Sequence, residues 1–327
     1  MSPWLALGAS VVALLVMACV SMVLGSRETD LVGTWEVLRG CGEDHLASVL
    51  AARWPRTVVG AMVGAALAAS GVVIQGLTRN PLGEPGLLGV TSGASAAVVT
   101  ATAFLGFSGG AATTWVALPG AVLAVLVVYV LGRPARTDSV LPLVLAGAVV
   151  AAVLEAYVQT LILSRPDVFD SYRHWMVGSL AGVTFETLWS VLPALLAGLV
   201  LASLVAPGLN TLALGDDVAL SLGTPVRLLR AAGIAAATLL AAAATAAVGP
   251  ILFVGLAVPH LVRGLVGSDH RWQLAVSVVL GAVLLIASDV VARVIARPNE
   301  LLVGVVTAFV GAPFLLMAVR RGRVVAE

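Results

Sequence analysis

Glu155 and Gln159 stand one helical turn apart inside an apolar run, and Asp289 and Arg293 stand four residues apart inside another. A carboxylate in such surroundings is costly, and intramembrane acids usually face a bundle interior or a wet cavity. Two readings of Glu155 stand: a polar group on a transport path, in the extreme a proton site, or a protonated, hydrogen-bonded structural acid. The spacing of Asp289 and Arg293 puts them on one helix face, where they neutralise each other. Arg53 and Arg56 flank Trp54-Pro55 at the mouth of an apolar run. Arginines there either snorkel to the membrane interface or present charge to a partner. Asp216 and Asp217 lie near the start of a short segment, 213–222, in which Leu214, Val218 and Leu222 recur at helical spacing. Acids at that position favour a helix N-terminus.

The remaining reactive residues form no catalytic set. The four histidines are scattered at positions 45, 174, 260 and 270, and His260 follows Pro259, where a structural role near a kink is expected. The two cysteines, at 19 and 41, fall in an apolar run and a polar loop. No metal-ligand cluster and no nucleophile–base pair is visible. All eighteen basic residues are arginine. A P-loop requires a lysine on the nucleotide phosphates, so the chain is expected to bind neither ATP nor magnesium. Any ATP coupling has to come from a partner. A net charge of +1 offers nothing to a nucleic acid.

The elements that must hold these residues are membrane helices. Hydrophobic residues make up 60% of the chain and charged residues 11%, with a mean hydropathy of +1.07. Soluble domains carry about 25% charged residues. Charge-free runs predict an all-α, polytopic membrane protein with ten spans. These are 4–24, 57–77, 87–107, 112–131, 140–163, 188–207, 231–248, 251–266, 274–292 and 301–319. The first run lacks a basic leader and a cleavage site and is expected to be a span rather than a signal peptide. Gly60, Gly64 and Gly71 lie among alanines in the second run, at spacings that suit close helix packing in lipid. Asn80-Pro81 ends that run and Pro85-Gly86 launches the next, giving a helical hairpin with a tight polar tip. Residues 208–230 form the longest polar connection of the C-terminal half. It opens with a proline–glycine exit at Pro207-Gly208 and stops at Gly223 to Pro225.

The string T-R-N-P-L-G-E-P-G-L-L-G-V-T-S-G, Thr78 to Gly93, resembles the most recognisable segment of one family. This is the permease subunit of the bacterial ABC importers for iron-siderophores, haem and cobalamin, the FecCD type. G-L-A-V-P-H-L (Gly255 to Leu261) and V-G-V-V-T-A-F-V-G-A-P-F (Val303 to Phe314) extend the likeness over roughly residues 50–320. The resemblance implies a type II importer permease working as a dimer, with an identical or paralogous second half. L-A-L-G-D-D-V-A-L-S-L-G is similar to the family's cytoplasmic coupling helix. It implies that two ATPase subunits, which bind ATP and magnesium, dock on 208–230 through Leu214, Gly215, Asp216, Asp217, Ala219, Leu222 and Gly223. An extracytoplasmic binding lipoprotein is expected to meet Arg53, Arg56 and Arg293. Asn80 and Leu82 resemble the inner gate, and Val140 and Leu141 its second element. The fifth span is expected to line the path, bringing Glu155, Gln159 and Tyr157 to substrate or water. A ferric siderophore is the implied cargo, with haem and cobalamin as the nearest alternatives. A proton- or sodium-coupled carrier using Glu155 is the rival class. The resemblance places the chain in the bacterial cytoplasmic membrane with both termini inside, an orientation that ten arginines inside against eight outside favours only slightly.

Overall fold

The computed structural model of the protein describes residues 2–25, 44–106, 111–132 and 141–320. Every regular element among them is helical. In chain order these are α1 (Pro3–Val23), α2 (Asp44–Thr78), a 3-10 turn (Pro85–Leu88), α3 (Val90–Leu105), α4 (Ala111–Leu131), α5 (Leu141–Ser164) and α6 (Pro166–Met176). They continue with α7 (Phe185–Leu212), α8 (Asp216–Ser221), α9 (Val226–Val248), α10 (Val254–Val266), α11 (His270–Ile295) and α12 (Val303–Arg320). Seven of the described helices are long and apolar enough to cross a bilayer, and three shorter apolar helices accompany them. Together they account for the ten runs of the sequence. Cys41 and Val140 lie outside the described residues.

α2 is the axis. It packs against α9, α10 and α11, and small residues let the backbones meet. A Cβ on Gly64 would run into the carbonyl of Gly281 on α11, and one on Gly71 into the carbonyl of Gly255 on α10. Polar bonds then cross the same contacts. Ser70 Oγ donates to the carbonyl of Ala237 at 2.8 Å. Gln75 Nε2 donates to the carbonyls of Gly255 and Leu256 at 3.2 and 3.3 Å. Pro259 lacks an N–H, so the carbonyl of Gly255, four residues earlier, loses its helical donor. Gln75 supplies one, which explains a buried amide in an otherwise apolar helix.

Several boundaries differ from expectation. The second helix begins at Asp44 rather than at the expected 57, is 35 residues long in all, and passes through Pro55. At a rise of 1.5 Å per residue it is about 52 Å long and must project beyond a hydrocarbon core of roughly 30 Å. One proline removes one bond, and the alanines around it are good helix formers. The third helix is shorter than 87–107 because Gly89 adopts a left-handed φ of 78° and separates a 3-10 turn from α3. α10 has 13 residues, about 20 Å, because Phe253 at φ 70° delays its start. The polar stretch 164–183 contains α6, with Pro166 at its first position and Asp167 in its first turn. Val168 and Tyr172 of α6 are buried. α7 runs through Pro207 to Leu212 and α9 starts at Val226, so the connection expected over 208–230 shrinks to 213–225.

Candidate functional site

Two clusters of charge occupy opposite ends of the bundle. The first gathers the end of α2, the turn after α7 and the start of α9. Gly215, at φ 108°, turns the chain into α8. Ala219 is fully buried and anchors the short helix, and Thr211 and Thr224 bond across its base at 2.9 Å. Leu214, Val218, Leu220 and Leu222 are exposed, Leu214 to 64%. Asp217 shares this open face, and Gly223, at φ 82°, closes the segment. Asp216 turns the other way. Its carboxylate pairs with Arg79 and accepts from Arg230 Nη2 at 2.6 Å. The expected set therefore divides: the leucines and Asp217 face outward, whereas Asp216 and Ala219 face the bundle.

The hairpin tip meets this cluster. Arg79 ends α2 in a left-handed conformation, φ 50°. Asn80 Oδ1 then accepts from the backbone N–H of Leu82 at 2.9 Å, which fixes the turn. Glu84, quoted in the sequence motif but given no role there, accepts at 3.3 Å from the N–H of Phe253 at the start of α10. Burial raises its carboxyl above the usual range. At the same end Asp269 caps α11. The Asn210 amide and the N–H of Arg271 hold its carboxyl below the ordinary value.

The second cluster surrounds the C-terminus of α1, whose last carbonyls lack helical donors. Arg53 Nη1 donates to the carbonyls of Met22 and Val23 at 2.8 and 3.0 Å. Arg293 donates to the carbonyl of Ser21 at 3.1 Å and to its Oγ at 2.7 Å. Arg297 Nε donates to the carbonyl of Gly25 at 2.9 Å. Cations at a helix C-terminus also complement its dipole. Asp289 ties the cluster together. It pairs with Arg293 at 3.0 Å and takes a bidentate grip from Arg56, which also reaches Glu300 at 2.7 Å. Arg53 is 6% exposed and Arg293 1%. Arg53 and Arg293, expected to meet a partner's acids, are buried against the end of α1, and both also line a pocket with Arg56 and Glu300. Arg56 and Glu300 remain nearer the surface. A sequence shows where charges fall but not which distant helix end needs donors.

Between the two ends, α5 leaves one face open. Leu145, Val149 and Val153 repeat along it, Val153 64% exposed. Glu155 and Gln159 lie on the exposed surface as well. Glu155 Oε1 accepts from Ser92 Oγ at 3.2 Å, and Tyr157 bonds Thr100 at 2.9 Å. Leu141 opens this helix. Glu155 is thus not enclosed by its own chain. An ionisable group on a spanning helix is too costly to face lipid, so this face calls for a covering partner or water.

Seven long and three shorter apolar helices, with an exposed acid and amide on one span, define a multi-pass membrane protein. The chain belongs to the FecCD transport family, which matches residues 13–321. It is 43% identical to the ferric enterobactin transport system permease protein of Escherichia coli K12, over 94% of this chain and 92% of that one. It is 38% identical to an iron(3+)-hydroxamate import system permease protein of Bacillus subtilis 168, over 94% and 80%. A solved structure described as an inward-facing conformation of a metal-chelate type ABC transporter superposes with a TM-score of 0.84 at 28% identity, covering 98% of this chain and 99% of that one.

Proposed function

We propose that the chain is the membrane half of an ATP-driven importer that carries a ferric siderophore across the cytoplasmic membrane by alternating access. The observation that carries the reading is the outward apolar face of α8, at the same end of the bundle as the hairpin tip. Four exposed side chains, Leu214, Val218, Leu220 and Leu222, on and beside α8 form a compact docking patch, and such patches mark interaction sites. Two copies of an ATPase subunit, which bind the ATP and magnesium, sit on this patch in the two halves of the assembly. This end, and with it both termini, faces the cytoplasm. A second permease half, identical or paralogous, covers the open face of α5. The strip containing Glu155 and Gln159 then lines a shared central path, with Asn80, Leu82 and Leu141 near its inner mouth. An extracytoplasmic binding protein delivers the cargo at the opposite end, around Arg56 and Glu300. The cargo assignment is supported by the relatives, permease proteins of a ferric enterobactin and an iron(3+)-hydroxamate system.

Uptake into proteoliposomes holding the chain, its ATPase and its binding protein tests this. Ferric siderophore should accumulate only with internal ATP. Uptake without ATP that follows a proton or sodium gradient would point instead to a carrier using Glu155.

A further inference from the structure

α8 has two faces with different chemistry. Leu214, Val218 and Leu222 face outward, while Asp216 and Ala219, three residues apart, face the bundle. Anything seated on the outer face acts on the rest of the chain through the inner one. Ala219 makes only apolar contact there. The directed connections belong to Asp216, whose two carboxylate oxygens hold two guanidinium groups from two other elements: Arg79 on the tip between α2 and α3, and Arg230 in the first turns of α9.

Isolated ion pairs between flexible surface side chains contribute little. This one differs in three respects. Asp216 is shared and only 16% exposed, whereas Asp217 beside it is open. Arg79, although 42% exposed, is not a side chain on a free helix face but the residue that follows the end of α2. Its left-handed backbone sets the direction of the Asn80-Pro81 turn. Side chains other than glycine rarely adopt that conformation unless the surroundings hold them in it.

We propose that Asp216 is the positioning residue that transmits displacement of α8 to the α2–α3 hairpin tip, with Arg79 as its receiver and Arg230 as the fixed point on α9. This rests on the reading that α8 receives an ATPase. When α8 shifts, the carboxylate carries Arg79 with it, and the tip moves relative to α9. Asp216 is therefore part of the transmission rather than of the docking surface.

The test uses the complete importer in proteoliposomes, with uptake and ATP hydrolysis measured together. Asp216→Asn removes the charge. Arg79→Gly removes the guanidinium while keeping a residue that accepts a positive φ, so loss of the turn does not confuse the result. Each variant should lower cargo moved per ATP hydrolysed by about tenfold, within the usual range of coupling between two sites. The ATPase should co-purify in unchanged amount. The double variant should be no worse than either single one, because both break the same link. Unchanged cargo per ATP in both single variants would overturn the proposal. So would loss of the ATPase from Asp216→Asn, which would return this residue to the docking surface, and so would a double effect equal to the product of the two. Failure of the unaltered chain to bind any ATPase is a different result, and it would remove the importer reading itself.

Discussion

The two charged ends of this bundle use the same residue types for opposite purposes. Around α1, the buried Arg53 and Arg293 supply donors to a helix terminus and the exposed Arg297 bonds Gly25 just beyond it, with Asp289 neutralising the cluster. Around α8, one acid and two arginines lock a small helix to its neighbours, and the outward surface is apolar. Charge at the end of a membrane bundle is therefore a poor guide to where a partner binds. The better guide is an apolar surface left open where the chain is polar.

Three substitutions sharpen the contrast. The largest effect is expected at the arginine end. Arg293→Ala leaves Asp289 with one cation instead of two and the end of α1 short of donors. Breaking a buried pair from one side costs about 3–5 kcal/mol, and this should appear as a marked drop in the melting temperature in detergent. Binding of the ATPase to the folded fraction should not change. At the other end, Leu222→Asp should do the reverse. Loss of one apolar anchor from a docking patch costs about 2 kcal/mol, roughly thirtyfold in affinity, measurable by titrating the ATPase onto the reconstituted permease. The melting temperature of the free chain should stay where it was. If Leu222→Asp unfolded the chain and Arg293→Ala abolished ATPase capture, the roles assigned to the two ends would be exchanged.

The smallest effect concerns Asp269, which caps α11. Its carboxyl is held below the ordinary value of 3.8, chiefly by the Asn210 amide. A depressed carboxyl contributes stability that is fully present above the ordinary value and is lost as pH falls through the lower, folded one. Asp269→Asn should therefore melt slightly below the unaltered chain at neutral pH, and the gap should close in acid below about pH 4. A gap that is constant with pH would mean that the charge of the cap contributes nothing.

Much of this was visible in the residues alone, for identifiable reasons. Spans announce themselves because lipid admits only long apolar runs with satisfied backbones, so the seven long helices and the hairpin at Asn80-Pro81 follow from composition and punctuation. The segment 213–222 was legible in part: only Asp216–Ser221 is helix, and Leu214 and Leu222 flank it with their side chains exposed like that of Val218. α6 was passed over because Asp167, Asp170 and Arg173 interrupt the long apolar run that marks a span, although Val168, Tyr172 and Trp175 recur at helical spacing. Pro207 misled because a proline breaks a helix only when no neighbour compensates, and here α7 is packed on α9, with Leu229 lying against Gly208. The direction of Asp216 and the burial of Arg53 and Arg293 depend on contacts with Arg79 and with the end of α1. No local pattern encodes such long-range pairings.

In the importer proposed above, an ATPase covers α8 and shields Val218 from solvent. Val218→Cys, placed in a chain whose own cysteines are changed to serine, tests it with a thiol reagent that does not cross membranes. Inverted vesicles without the ATPase should label strongly, and vesicles with it should not. A second cysteine at Ala52, exposed near the arginine end, should label only from the opposite side. Equal labelling of Val218→Cys with and without the ATPase, or labelling from the same side as Ala52→Cys, would contradict the claim.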